Sequence, residues 1–101
     1  MISKKYNKAG TKCSVTFLVP PEQAHGFLEA YIVGDFNNWD TNAHPMGRTK
    51  QGGFEITLEL ESGKEYYFRY LFDGKIWDND WNADKYVPSP FADSENSVVI
   101  V

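Results

Sequence analysis

Three acidic residues, Asp78, Asp80 and Asp84, fall in one polar segment. Acid–base hydrolysis of a sugar bond needs two carboxylates about 5–9.5 Å apart across a cleft. The same segment reads Asp78-x-Asp80-x-Asn82-x-Asp84, which sets oxygen ligands at the spacing that begins a calcium loop. That loop also wants Gly at its sixth position and Glu at its twelfth, where Ala83 and Ser89 stand here. The competing reading is a solvated acidic loop. His25 and His44 are isolated in polar connections, and the single Cys13 excludes a disulfide framework. A zinc site would need Cys13 with both histidines, and no pair of them has a zinc-motif spacing. There is no Gly-rich phosphate loop and no Gly-x-Ser-x-Gly elbow. The reading is therefore of a chain with no cofactor, no metal site and no catalytic residues.

The aromatics offer a different chemistry. The 101 residues include seven Phe, six Tyr and three Trp. Trp39 and Trp77 sit at strand ends beside polar turns, where exposure is plausible. A flat indole can cover the C–H face of a pyranose ring at low entropic cost, because it has only two χ angles. Nearby polar side chains can then pair with the hydroxyl rim. Arg69 is a candidate donor, sharing a strand face with Tyr67 and Leu71 by period-2 alternation. The alternative is that both tryptophans plug the ends of the fold, since Trp is highly buried on average.

Charge and length narrow the class. A net charge of −4 argues against nucleic acid as the main partner, because phosphate contacts need clustered Lys and Arg. Lys4, Lys5, Lys8 and Lys12 make the start basic, but no apolar run of 7–15 residues follows as a targeting segment would require. No stretch approaches the ~20 apolar residues of a membrane helix. A soluble, cytoplasmic, single-domain protein is expected.

These residues need strands to position them. Cys13–Val19 alternates, with Cys13, Val15, Phe17 and Val19 on one face, and ends at Pro20-Pro21. Phe27–Val33 reads as a second strand, and Glu22–Gly26 as a polar connection. Phe54–Glu61 alternates cleanly, with Phe54, Ile56, Leu58 and Leu60 inward and Glu55, Thr57, Glu59 and Glu61 outward. Tyr66–Phe72 puts Tyr66, Phe68, Tyr70 and Phe72 on the core face. Asp73-Gly74 is a hairpin signal leading into Lys75–Trp77. Thr41–Lys50 reads as irregular, Asp78–Ala92 as a long polar loop, and Asn96–Val101 as a closing strand. About seven short antiparallel strands without a crossover helix predict an all-β, immunoglobulin-like β-sandwich. Residues 1–11 read as a flexible tail, and 12–101 as the domain.

At Val33-Gly34-Asp35-Phe36-Asn37-Asn38-Trp39 the sequence resembles the family-48 carbohydrate-binding modules. These include the N-terminal early-set domains of isoamylases and branching enzymes, and the glycogen-binding domain of the AMP-activated protein kinase β subunit. The resemblance continues through Gly53-Phe54, Leu60, Gly63, Tyr67-Phe68-Arg69-Tyr70, Asp73-Gly74, Trp77 and Asn96-Ser97-Val98-Val99, covering roughly residues 12–101. One residue is inserted between the hairpin and Trp77, and Trp81 stands where relatives usually have Pro. The resemblance implies an early-set sandwich that binds α-1,4-glucans such as glycogen, starch or maltooligosaccharides. It implies sugar stacking at Trp39 and Trp77 and hydroxyl pairing at Arg69. By the same resemblance Phe91 falls near a Leu pushed into the sugar ring, with Ser94 and Asn96 near the Thr and Asn that follow it.

The expected function is thus non-catalytic α-glucan binding through Trp39, Arg69, Trp77, Phe91, Ser94 and Asn96. A second reading is a protein-interaction module that docks on a glycogen-metabolising enzyme or regulator without binding sugar. A third is a small glycoside hydrolase using Asp78, Asp80 or Asp84.

Overall fold

Cys13, Val15, Phe17 and Val19 are all fully buried, and their backbone is paired antiparallel with the other cleanly alternating segment. The register sets Cys13 opposite Leu60, Val15 opposite Leu58, Phe17 opposite Ile56 and Val19 opposite Phe54. Two half-apolar strands thereby merge their inward faces into one surface. The computed structural model describes residues 1–90 and 94–101. Nine strands are present among them: β1 (Ile2–Tyr6), β2 (Lys12–Val19), β3 (Ala30–Gly34), β4 (Gly47–Arg48), β5 (Phe54–Glu61), β6 (Glu65–Phe72), β7 (Ile76–Asp78), β8 (Lys85–Pro88) and β9 (Glu95–Ile100). One sheet runs β1-β2-β5-β4 and the other β3-β6-β9-β8, with β7 also paired to β6. The antiparallel, all-β sandwich expected from the strand pattern is what forms.

The core lies between the sheets. Phe68, Tyr70 and Phe72 of β6 are fully buried, and Tyr66 packs partly buried beside them. Phe17 meets Phe68 edge-on at 5.0 Å between ring centroids, and Phe27 stacks on Phe72 at 4.7 Å. Each buried aromatic or aliphatic side chain contributes about 1.5–3 kcal/mol through loss of apolar surface from water.

Four local expectations are corrected. Residues 1–11 were expected as a flexible tail, yet Ile2–Tyr6 form β1, with Ile2 opposite Phe17 and Tyr6 opposite Cys13. The turn that returns the chain is built by Asn7, whose Oδ1 accepts from the N–H groups of Thr11 and Lys12, and by Gly10 at φ +72°. The second strand starts at Ala30 rather than Phe27. Asp73 Oδ1 takes the N–H groups of Leu28 and Glu29, and the Arg48 guanidinium takes the carbonyls of Phe27 and Leu28, so this backbone is removed from the ladder. The polar connection after Pro20 contains one helical turn, α1 (Pro21–Ala24). The segments Thr41–Lys50 and Asp78–Ala92 are not wholly irregular, because they carry β4 and β8.

β6 organises everything that follows. Its residues 68–72 pair with β3 along one edge. Along the other edge, residues 65–68 pair with β9 and residues 70–72 with β7. β9 and β7 therefore lie nearly end to end beside a single strand. No helix of the described residues is long and apolar enough to cross a membrane.

Candidate functional site

The outward face of β6 carries Tyr67, Arg69 and Leu71. Tyr67 lies opposite Val98 of β9, and Leu71 opposite Trp77 of β7. The β9 register carried one residue further sets Asn96 beside Arg69, and the Arg69 Nε donates to Asn96 Oδ1 at 2.9 Å. Its Nη2 donates to Ser94 Oγ, also at 2.9 Å. These two bonds fix the guanidinium plane. Three of its five N–H groups, and the side-chain NH₂ of Asn96, hold no partner among the described residues.

Trp39 arrives from the other side, on the loop after β3. This loop is tightly specified. Gly34 is indispensable: a Cβ there would stand 2.4 Å from the Tyr67 carbonyl oxygen and 2.7 Å from Phe68 Cβ. A 3₁₀ turn, Asp35–Asn37, follows. Asn37 Oδ1 accepts from the Gly34 N–H, and its Nδ2 donates to the Ile32 carbonyl and pairs with His44 Nδ1. Asn38 and Trp39 both adopt left-handed backbone, at φ +55° and +58°. That conformation is uncommon outside glycine and costs about 1–3 kcal/mol when held in a bulky residue. The Asn37 clamp and the Trp39 N–H bond to the Gly34 carbonyl hold it. Asp35 completes the arrangement, with one oxygen accepting from the Trp39 indole N–H at 3.0 Å and the other from the Tyr67 N–H at 2.8 Å. The carboxylate thus ties the indole to β6.

Trp39 and Trp77 are 36% and 45% exposed, so neither is a plug in the core. Together they line a cleft of about 650 Å³ with Asp35, Thr41, Tyr67, Arg69, Asn96 and the Pro88-Ser89-Pro90 segment. Its walls are mostly apolar, with the Arg69 and Asn96 donors set among them. Aromatic walls with a few fixed polar groups are the usual composition of a small-molecule site. Of the residues expected at a sugar site, Trp39, Arg69, Trp77 and Asn96 meet at this cleft, and Ser94 accepts from Arg69 without lining it. Phe91 lies outside the described residues.

Sequence reasoning missed Asp35, Thr41, Tyr67 and Pro88–Pro90. Tyr67 was legible in principle, since alternation puts it on the Arg69 face. Thr41 and the proline segment reach the cleft only through loop paths that carry no periodic signal.

The acidic segment has other work. Asp80 is buried, and its carboxylate accepts from the Tyr70 hydroxyl, the Asn82 N–H and the α-amino group of Met1. Burial pushes the Tyr70 pKa well above its usual value, and the Asp80 charge and hydrogen bond add to the shift. Asp84 accepts from Lys4 Nζ and the Ile100 N–H, and Asp78 from its neighbour Asn79 and from Gln23. None of the three lines the cleft. No cluster of three or more His, Cys, Asp or Glu among the described residues is arranged to hold a metal ion. Trp81 is 49% exposed and also stands apart from the cleft.

Residues 10–92 match the model of the family described as carbohydrate-binding module 48, the isoamylase N-terminal domain. The chain belongs to this family. Among its relatives, a 1,4-alpha-glucan-branching enzyme of Emericella nidulans is 47% identical over 62 residues, covering 60% of this chain and 9% of the relative. A branching enzyme of Halothermothrix orenii is 34% identical over 58 residues, covering 57% of this chain and 9% of the relative. A chloroplastic or amyloplastic branching enzyme of Oryza sativa subsp. japonica is 30% identical over 82 residues, covering 74% of this chain and 10% of the relative. This carbohydrate-binding module spans about a tenth of the length of the curated relatives it matches.

Proposed function

We propose that this module binds α-1,4-glucan without acting on it, through stacking of pyranose faces on Trp39 and Trp77. The observation that carries the reading is the shared cleft: two half-exposed indoles, Trp39 on the loop after β3 and Trp77 on β7, line it together with the hydrogen-bonded Arg69 and Asn96. An indole removes sugar C–H surface from water, and the N–H groups of Arg69 and Asn96 that hold no partner among the described residues supply donors for hydroxyls. The Asn37 clamp and the Asp35 bridge fix Trp39 before ligand arrives, so little side-chain entropy is lost on binding. Family membership and the branching-enzyme relatives support α-glucan as the polymer. We extend the proposal to a glycogen-metabolising enzyme working beside the module, in the same chain or in trans.

The test is retardation in a native gel containing glycogen, with maltoheptaose quenching of Trp fluorescence as the solution measurement. The unmutated protein is retarded and quenched. Trp77→Ala loses at least tenfold in affinity, equivalent to about 1.4 kcal/mol, and runs as in the glycogen-free gel. Absence of retardation in the unmutated protein would sink the proposal.

A further inference from the structure

Trp77 does not border one cleft only. Its hairpin also lines a second cleft of about 220 Å³, with Glu29, Tyr31, Thr41, Asn42, Leu71 and Gly74. Thr41 and Trp77 belong to both, so the two clefts are neighbours on the surface. The second has about a third of the volume of the first.

The two spaces differ in chemistry. The first is walled mostly by aromatic and proline surface. The second is lined by residues that bear a carboxylate (Glu29), a phenol hydroxyl (Tyr31), an alcohol (Thr41) and an amide (Asn42), together with the nearly buried Leu71 and Trp77. None of those four side chains holds a hydrogen bond or ion pair among the described residues; Asn42 donates only its backbone N–H, to Asp40. Four unpaired polar groups of mixed donor and acceptor character suit a ligand rich in hydroxyls, each of which both donates and accepts. The shelf they form begins where the aromatic platform ends.

We infer that the shelf of Glu29, Tyr31, Thr41 and Asn42 is a further sugar subsite, which takes the continuation of a linear α-glucan that leaves the platform at Trp77. The inference rests on the glucan-binding reading of the first cleft and adds a length preference to it. A short oligosaccharide occupies the aromatic platform alone. A longer one crosses Trp77 and pairs its hydroxyls with the shelf. Each such hydrogen bond contributes a few-fold to affinity.

Calorimetric titration with maltotriose and maltoheptaose, on the unmutated chain and on the double variant Tyr31→Phe, Asn42→Ala, tests this. Tyr31→Phe removes only a hydroxyl and Asn42 is exposed, so the fold persists, and unchanged maltotriose binding verifies it in the same experiment. The expected result is a ~3–10-fold loss of affinity for maltoheptaose with maltotriose unaffected. Equal losses for both sugars, a loss for maltotriose alone, or no loss for either would overturn the subsite while leaving the platform standing. An unmutated chain that binds neither sugar overturns the platform, and the subsite with it.

Discussion

The two faces of β6 do opposite work with adjacent residues. Phe68, Tyr70 and Phe72 point inward and are fully buried; Tyr67 and Arg69 point outward and line the cleft. Period-2 geometry keeps these sets apart over a distance of one residue. The difference teaches where each property resides. Even-numbered positions of β6 build the core, whereas Tyr67 and Arg69 line the cleft proposed to bind glucan. Leu71 departs from this division, since it faces outward and is nearly buried under Trp77 and the Tyr31 side of β3.

Substitutions should therefore separate along the strand. The largest expected effect is Phe68→Ala, which removes a ring in contact with Phe17, Phe36 and Tyr70. It should cost about 3–5 kcal/mol in urea unfolding, and a cost below about 1 kcal/mol would break the division of faces.

Next is Tyr70→Phe, which deprives the buried Asp80 carboxylate of a donor and should cost about 1–3 kcal/mol at neutral pH. This variant also carries a pH signature. The Tyr70 phenol is held neutral to a higher pH in the folded protein than in the unfolded chain, where it titrates near the usual ~10. Above that pH unfolding releases a proton, so stability falls as pH rises and is intact below. Thermal unfolding across pH 9–11 should show a shallower decline in Tyr70→Phe than in the unmutated protein. Parallel declines would assign the alkaline loss to other groups.

The smallest effect on stability, and a clear one on binding, is expected for Arg69→Lys. Lysine keeps the charge but loses the planar fork that spans Asn96 and Ser94. Affinity for maltoheptaose should fall about tenfold, roughly 1.4 kcal/mol, with unfolding changed by less than about 1 kcal/mol. A variant that unfolds readily and still binds would reverse the roles of the two faces.

How legible was this in the sequence? The facing strands β2 and β5 were readable because each alternates with one wet and one dry face, and the core face of β6 because four aromatics recur at every second position. The motif around Gly34–Trp39 and the Asp73-Gly74 hairpin carried the resemblance that brought Trp39 and Trp77 together. The rest lacked a local signal. β1 is an edge strand whose only apolar anchor is Ile2, so its pairing depends on Phe17 across the sheet. Asp35 reads as an ordinary turn residue, and its bridge to Trp39 and Tyr67 depends on a strand more than thirty residues away. Trp81 carries no local signal that separates a ligand platform from a loop anchor, because exposure is not written in residue type.

The outward side chains of β6 recur every second residue, so Tyr67, Arg69 and Leu71 stand at steps of roughly 7 Å, given a rise of ~3.3–3.4 Å per residue. The paired strands fix each mark: Val98 at the first, Asn96 at the second, Trp77 at the third. The face is in effect a ruler with a rigid pitch. A polymer lying along it keeps in phase only where its own repeat and curvature bring a ring or a hydroxyl to each mark. Because backbone hydrogen bonds set that pitch, side-chain substitution can change what each mark reads, but not the spacing between them.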